Sequence, residues 1–513
     1  MQDAVVVGSG PNGLAAAVTL ARAGLSVTVL EAQPTAGGGA RTLDLGLADG
    51  IVHDVCSAVH PMAWASPFFR AFGLAAHGVE LLTPEVSYAQ PLPDGRAGIA
   101  YRDLERTVER LGPDGRAWRS LLGPLAARWE AVVAVGLGDK RSLPPGLSDG
   151  GALGAAARFG LGVLEQGTRA WDARFRTPEA AALLTGVAAH TIAPVPSLGA
   201  AGTALLLGAL GHATPSRCGY EFDRPDPGRD GRIHTHNGRG CDGGWPIPRG
   251  GSGAIVTALR TDLEAHGGTV ITGHAVRSRA DLPAARAYLF DTDPAALLRV
   301  AGDDVAPSRR RALAGFPRGN AAAKVDLVLS GPVPWADPEV ARAGTVHVGG
   351  TRAQMARAEA AVAAGRHAEQ PVCLVSDPAV VDPGRVVGGL RPLWTYAHVP
   401  AGSTRDVTQD VLDQLERFAP GVRDVVVASR CTPAARMVEH NLNLVDGDIA
   451  GGTTALWRMI ARPTAHGNPY RQAGGVYLCS ASTPPGPGVH GMGGWHAAHR
   501  ALREVFGVRV PAL

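Results

Sequence analysis

Residues 4–7, Ala-Val-Val-Val, run straight into Gly8-Ser9-Gly10-Pro11-Asn12-Gly13, and no other segment constrains the fold as tightly. A short, continuous apolar run is what a parallel strand buried on both faces requires. The Ala-rich segment to Ala23 favours helix, Gly24 ends it, and residues 26–30 read as a second strand closed by Glu31. Strand, glycine turn, helix, strand and acid together make a βαβ unit. Gly8 permits the tight turn off the strand, Gly10 lets backbone approach a pyrophosphate, and Gly13 lets helix pack on strand. The helix start, with Pro11 and Asn12 in its first turn, then presents N–H groups and a positive dipole end to phosphate. Glu31 stands where a carboxylate accepts hydrogen bonds from ribose hydroxyls and disfavours a 2′-phosphate.

Residues 37–41, Gly-Gly-Gly-Ala-Arg, point to a longer cofactor, because they add a second glycine loop and a guanidinium that suit a long, enclosed dinucleotide. Here the sequence resembles the FAD-dependent oxidoreductases with the double-glycine motif, which include amine oxidases and phytoene desaturases. Residues 475–492 (GVYLCSASTPPGPGVHGM) resemble the C-terminal flavin motif of the phytoene desaturase-like proteins, closest to the pyridine nucleotide-disulphide oxidoreductase domain-containing branch. Residues 243–253 before a helix, 291–294 after a strand, 324–327 followed by 331–335, and 441–452 fit the same pattern, so the likeness runs end to end. It implies one non-covalent FAD held by Gly8, Gly10, Pro11, Asn12, Gly13, Glu31, Gly38, Gly39, Arg41, Val276, Ser480, Gly488, Val489, His490, Gly491 and Met492. One departure stands out: where the family commonly carries Gly-Asp after its last strand, this chain has Ser480-Ala481, leaving backbone amides and the hydroxyls of Ser480 or Ser482 as substitutes.

The rest of the chain is read for organisation. Trp118, Leu121, Leu122, Leu125 and Trp129 recur at helical spacing, Thr177-Pro178-Glu179 opens a helix towards His190, and residues 197–211 form a helix that is apolar all round. Strands are expected at 269–272, 287–290, 324–329, 345–348, 372–376, 393–398, 424–428 and 475–479. The expected fold is α/β: a discontinuous Rossmann-like FAD-binding domain (1–61, 243–305 and 470–513) with an inserted substrate domain of mixed sheet and helices (62–242 and 306–469).

Composition narrows the function classes. The formal net charge of +3 over 513 residues gives no basic excess for nucleic acid. The six cysteines lie far apart without a CxxC pair, which points to reduced thiols and a cytoplasmic protein. No basic n-region precedes residues 4–7 and no apolar run is long enough to span a bilayer, so neither signal peptide nor membrane span is expected; peripheral membrane contact stays compatible. Residues 135–138, Val-Gly-Leu-Gly, lack a third glycine and read as a loop, and His234, His236 and Cys241 lack a well-spaced further ligand, so no metal site is expected.

Taken with the resemblance, these features give an FAD-dependent dehydrogenase that desaturates, saturates or isomerises C–C or C=C bonds of a lipophilic polyene, isoprenoid or acyl-type substrate, free or carrier-bound, by hydride transfer with flavin N5. The second hydrogen must leave as a proton, and His60, His490 and Asp448 are the candidate groups; for Asp448 a turn carboxylate is an equal reading. The alternatives are an amine oxidase-like enzyme, which calls for an aromatic cage in a chain with 5% aromatics, and a non-catalytic flavoprotein. A lipophilic substrate is expected to arrive by a tunnel walled by the helices around 180–190 and 198–210, with Leu206 in its wall.

Overall fold

The computed structural model describes residues 2–142, 150–214 and 243–513; Cys218, His234, His236 and Cys241 lie outside the described residues. Strand β1 (Gln2–Val7) lies at the middle of a six-stranded sheet. It pairs in parallel with β2 (Val27–Leu30) on one side and with Ala285–Phe290 on the other. Residues 269–271 extend the sheet beyond β2, and Val476–Leu478 followed by Arg471–Ala473 extend it beyond 285–290. Ala4 to Val6 are fully buried, as a strand covered on both faces must be.

Helix α1 (Pro11–Arg22) returns across this sheet, and its N-cap residue, Gly10, offers no side chain of its own to cap it. A Cβ on Gly13 would lie 2.1 Å from the Gly8 carbonyl oxygen, so only glycine lets the helix pack on the strand. The last regular α-helix, Met492–Ala501, crosses α1 in the same manner. Its Gly493 N–H donates to Asn12 Oδ1 (3.1 Å), and a Cβ on Gly494 would lie 1.7 Å from the Asn12 carbonyl oxygen.

A second, seven-stranded sheet runs in the order 426–432, 321–329, 391–399, 373–376, 346–348, 86–91, 97–101. It is antiparallel except where 346–348 meets 86–91. Helices Pro178–Ala188 and Leu198–His212 pack beside it and are buried along most of their length, as an all-apolar helix requires. The chain is thus α/β, and its two sheets draw on interleaved segments.

Several elements differ from the sequence reading. The hairpin Val86–Pro91 and Ala97–Tyr101, turned at Gly95 (φ 81°), was not expected; Pro91 and Pro93 disguise its strand pattern. Residues 135–137 are not a loop: they form the last turn of helix Trp129–Leu137, with Gly138 its C-cap, and Gly136 lets Leu206 approach to 3.0 Å of its Cβ position. The strand expected at 424–428 starts at Val426 and runs to Thr432, since 422–425 forms a helical turn. No single helix among the described residues is long and apolar enough to cross a membrane.

Replacing Gly494 by alanine should force the two helix starts apart. The expected loss is about 1–3 kcal/mol, the usual cost of overpacking, read as a lower urea midpoint at unchanged m-value.

Candidate cofactor and substrate site

Both glycine loops meet at the carboxyl end of the first sheet. A Cβ on Gly38 would lie 2.9 Å from Gly10 Cα, so the loops touch backbone to backbone. Gly10 is the N-cap of α1 and Pro11 its first helical residue, so the positive end of the helix dipole lies at this junction. Glu31 is buried; its Oε2 accepts from the Ser9 N–H (2.9 Å) and hydroxyl, and its Oε1 from the Gln33 N–H (2.8 Å). The Ser9 hydroxyl in turn accepts from the Gly37 N–H (3.0 Å), coupling the acid to the second loop. Arg41 donates to the carbonyls of Gly38 and His440; burial lowers its pKa and Glu31 opposes that shift. Gly39 lies against Cys56, and Val276 packs beside the cluster that contains Val5, Val7 and Leu30.

The 488–492 turn delivers the second helix start to the same place. Gly488 and Gly491 adopt φ of 129° and 69°, and Gly491 is the N-cap of Met492–Ala501. Side chains at these glycines would strike Met62 and Phe68, which brings the turn against the segment after His60. Val489 is partly buried against the main core, and Met492 is buried. Two helix N-termini therefore converge beside glycine backbone, an arrangement suited to a dinucleotide pyrophosphate, with the Asp291 side chain inside the first loop. Ser480 Oγ accepts from the Ser482 N–H (3.3 Å) and the Ser482 hydroxyl donates to the Gly451 carbonyl (2.8 Å), so the Ser482 hydroxyl is spent on the loop.

The three proton-handling candidates fare differently. His490 is fully buried and uses both ring nitrogens: Nδ1 accepts from the Met492 N–H (3.0 Å), so Nε2–H donates to the Gly486 carbonyl (3.2 Å). It shapes the turn and keeps no nitrogen for a substrate proton. Asp448 accepts from the backbone N–H groups of Gly319, Ala450 and Gly452, which is the turn-carboxylate reading. His60 is the one with a nitrogen to spare. Because the Ser252 hydroxyl donates to the Ser57 carbonyl (2.6 Å), it must accept from His60 Nε2–H (2.7 Å), which leaves Nδ1 a bare lone pair, buried and unpartnered. Burial lowers the His60 pKa to about 4, and Asp54 partly opposes the shift.

The sequence reading missed a band of polar and aromatic residues on one face of the second sheet. Trp394, Tyr396 and His398 share that face of strand Arg391–Val399, with Lys324 opposite Tyr396 and Asp326 opposite Trp394. Trp394 donates to the Cys56 carbonyl (3.0 Å), which ties the band to the Gly39 loop. His398 Nδ1 contacts Glu359, and His347 contacts His190 at 2.8 Å. A period-2 run of Trp, Tyr and His at 394, 396 and 398 was the available signal. Leu206, expected in a tunnel wall, packs against Gly136 of the helix Trp129–Leu137. The cavity between the two apolar helices is lined by Leu184, Ala188, Ala200, Ala204, Trp171 and Arg352. Among the described residues no group of three His, Cys, Asp or Glu side chains is arranged to hold a metal ion.

Known proteins resemble this chain in its first segment and in its fold. The model for the NAD(P)-binding Rossmann-like domain matches residues 6–72. An uncharacterized protein of Mycobacterium tuberculosis is 26% identical over 98% of this chain and 97% of its own. Pyridine nucleotide-disulfide oxidoreductase domain-containing protein 2 of Rattus norvegicus is 23% identical over 98% of this chain and 94% of its own. Among solved structures, a variant of putrescine oxidase superposes with a TM-score of 0.59 at 16% identity, covering 99% of each chain. The fold is that of the FAD-type oxidoreductases. Cyclohexylamine oxidase from Brevibacterium oxydans shares it, with a TM-score of 0.55 at 15% identity over 98% of each chain.

His60, His212 and His490 all have pKa values lowered to about 4, with burial the first cause in each. A depressed histidine stabilises the fold above its unfolded pKa of about 6.5, and that contribution is lost as pH falls through about 4. Each should cost up to about 2 kcal/mol at pH 5, so the urea midpoint should drop steeply between pH 6.5 and 4.

Proposed function

We propose that the protein is an FAD-dependent oxidoreductase of the phytoene desaturase-like kind, cytoplasmic, which desaturates, saturates or isomerises carbon–carbon bonds of a lipophilic polyene, isoprenoid or acyl-type substrate. The observation that carries this reading is the neutral imidazole of His60, with its bare Nδ1 buried in the segment that lies against the 488–492 turn. FAD, when bound, supplies the hydride acceptor. Gly8, Gly10, Asn12 and Gly13 hold its phosphates, Glu31 its ribose, and the turn before Met492 its ring end. His60 takes the second hydrogen as a proton at Nδ1. Ser252 fixes the ring through Nε2, and the nearby charge of Asp54 favours the imidazolium that forms. His490 and Asp448 act by positioning backbone. The substrate is free or carrier-bound, and this reading includes no nucleic-acid partner and no bound nicotinamide dinucleotide.

A second reading, amine oxidation, is favoured by one observation: Trp394 and Tyr396 stand at 86° with centroids 5.1 Å apart on the sheet face tied to Cys56. Amine oxidase [flavin-containing] B of Sus scrofa is 30% identical over 27% of this chain.

Anaerobic mixing of the FAD-reconstituted protein with candidate substrates, with mass spectrometry of the product, tests both. Polyene, isoprenoid or acyl compounds should bleach the oxidised flavin and lose two hydrogens, or, for saturation, restore the colour of pre-reduced flavin and gain two; bleaching by amines alone would replace the first reading with the second. His60→Asn should slow flavin reduction by about 10²–10⁴-fold at unchanged flavin content. Glu31→Ala should weaken FAD retention by about 1–3 kcal/mol, measured by equilibrium dialysis.

A further inference from the structure

Asp291 comes directly after the strand Ala285–Phe290, and its side chain fills the inside of the first glycine loop. Its Oδ2 accepts from the Gly13 N–H at 2.8 Å and would lie 2.5 Å from a Cβ on Gly10. It thereby does for α1 what an N-cap side chain does elsewhere, for Gly10 offers none. Its main chain is fixed from both sides, by the Val7 carbonyl (2.8 Å) and by the Asn443 side-chain amide (2.9 Å). The carboxyl group is buried, and its other oxygen, Oδ1, takes no hydrogen bond from the described residues.

The charges around this group are unfavourable to an anion. Glu31, at the end of β2, is a second acid of the same loop, and its charge acts on Asp291. Cys479, at the end of strand Val476–Leu478, is a buried thiol whose pKa is pushed up by burial first and by Asp291 second. Of the neighbouring cations, Arg41 is drawn to Glu31 and Cys56, and Arg318 pairs with Asp293 at 2.8 Å. Burial, with Glu31 adding to it and the Gly13 N–H opposing it, pushes the Asp291 pKa up to about 7. A pyrophosphate entering the same loop would bring further negative charge against this carboxyl group.

We propose that Asp291 is a cofactor-positioning residue that holds the glycine loop as a neutral carboxyl group, so that FAD capture is coupled to the uptake of one proton. The proposal rests on the reading that this loop holds FAD. A neutral Asp291 keeps its Oδ2 contact with Gly13 and can donate from Oδ1, whereas the carboxylate repels the incoming phosphates. Binding must therefore raise the affinity of Asp291 for its proton, and by linkage FAD binds less tightly as pH rises through the pKa of the free protein.

The test is FAD binding to deflavinated full-length protein, monitored by quenching of FAD fluorescence between pH 6 and 8.5. The dissociation constant should rise about tenfold across that range. Asp291→Asn, which keeps an acceptor for the Gly13 N–H and cannot ionise, should bind as tightly as the unaltered protein does at pH 6, with no pH dependence. A flat profile for the unaltered protein, or a slope retained in Asp291→Asn, would overturn the proposal and leave the cofactor reading intact. Failure of FAD to bind either protein at any pH would overturn the cofactor reading and this proposal with it. The slope of the unaltered protein decides the matter even if the variant does not fold.

Discussion

The close crossing of α1 with the helix Met492–Ala501 is the contact on which the rest of the arrangement depends. Asn12 meets Gly493 and Gly494 with no room for a side chain, and this brings two helix starts to one point. Each start carries about half a positive charge, while the Gly13, Met492 and Gly493 N–H groups already have acceptors in Asp291, His490 and Asn12, so an anion placed between the starts would meet the combined dipole field. The glycine loops, the buried acids and the neutral histidines all make sense as devices around that point. Glu31 lies close by, Asp291 holds the Gly13 N–H, and His490 shapes the turn that places the second helix.

The opposite character of the neighbouring half comes from its burial. Helices without a polar face leave no solvated side, so the imidazoles beneath them stay uncharged and the few ions are paired, Lys324 with Asp326 and Arg385 with Asp54. A bare imidazole nitrogen in such surroundings is a poor base in water and a useful one only when its proton partner arrives with the substrate. That gives His60 a different standing from His490, although the two are alike in burial and in the direction of their pKa shifts.

Much of this was legible in the sequence where the chain pattern is local. The βαβ unit, its glycines and Glu31 are set by contacts among residues 2–31, and backbone geometry alone dictates their spacing. The residues that meet across long separations were not legible in the same way. Nothing in the run Phe290-Asp291-Thr292 shows that its carboxylate enters a loop made by residues 8–13, and nothing in Ser252 shows that it fixes the tautomer of His60. The hairpin at 86–101 was hidden by its prolines, and residues 135–138 read as a loop because the residue that Gly136 packs against, Leu206, lies far along the chain. The candidate histidines could be named from sequence, but their roles depend on which ring nitrogen is already occupied.

The distance between the two halves of the helix crossing has a consequence for biosynthesis. Asn12 and Gly493 are 481 positions apart, so at ~5–20 residues per second the first waits roughly half a minute to a minute and a half for the second. Once made, strand Ala285–Phe290 has β1 on one edge and nothing on the other until residues 476–478 follow, and the cradle lacks one wall. A nascent chain can therefore fold its first βαβ unit early, but it can enclose a dinucleotide only after the ribosome has passed residue 493. The exposed edge in the interval is a place for a chaperone to sit, and a ribosome stalled before residue 476 would leave a chain that is folded at its start and unable to load.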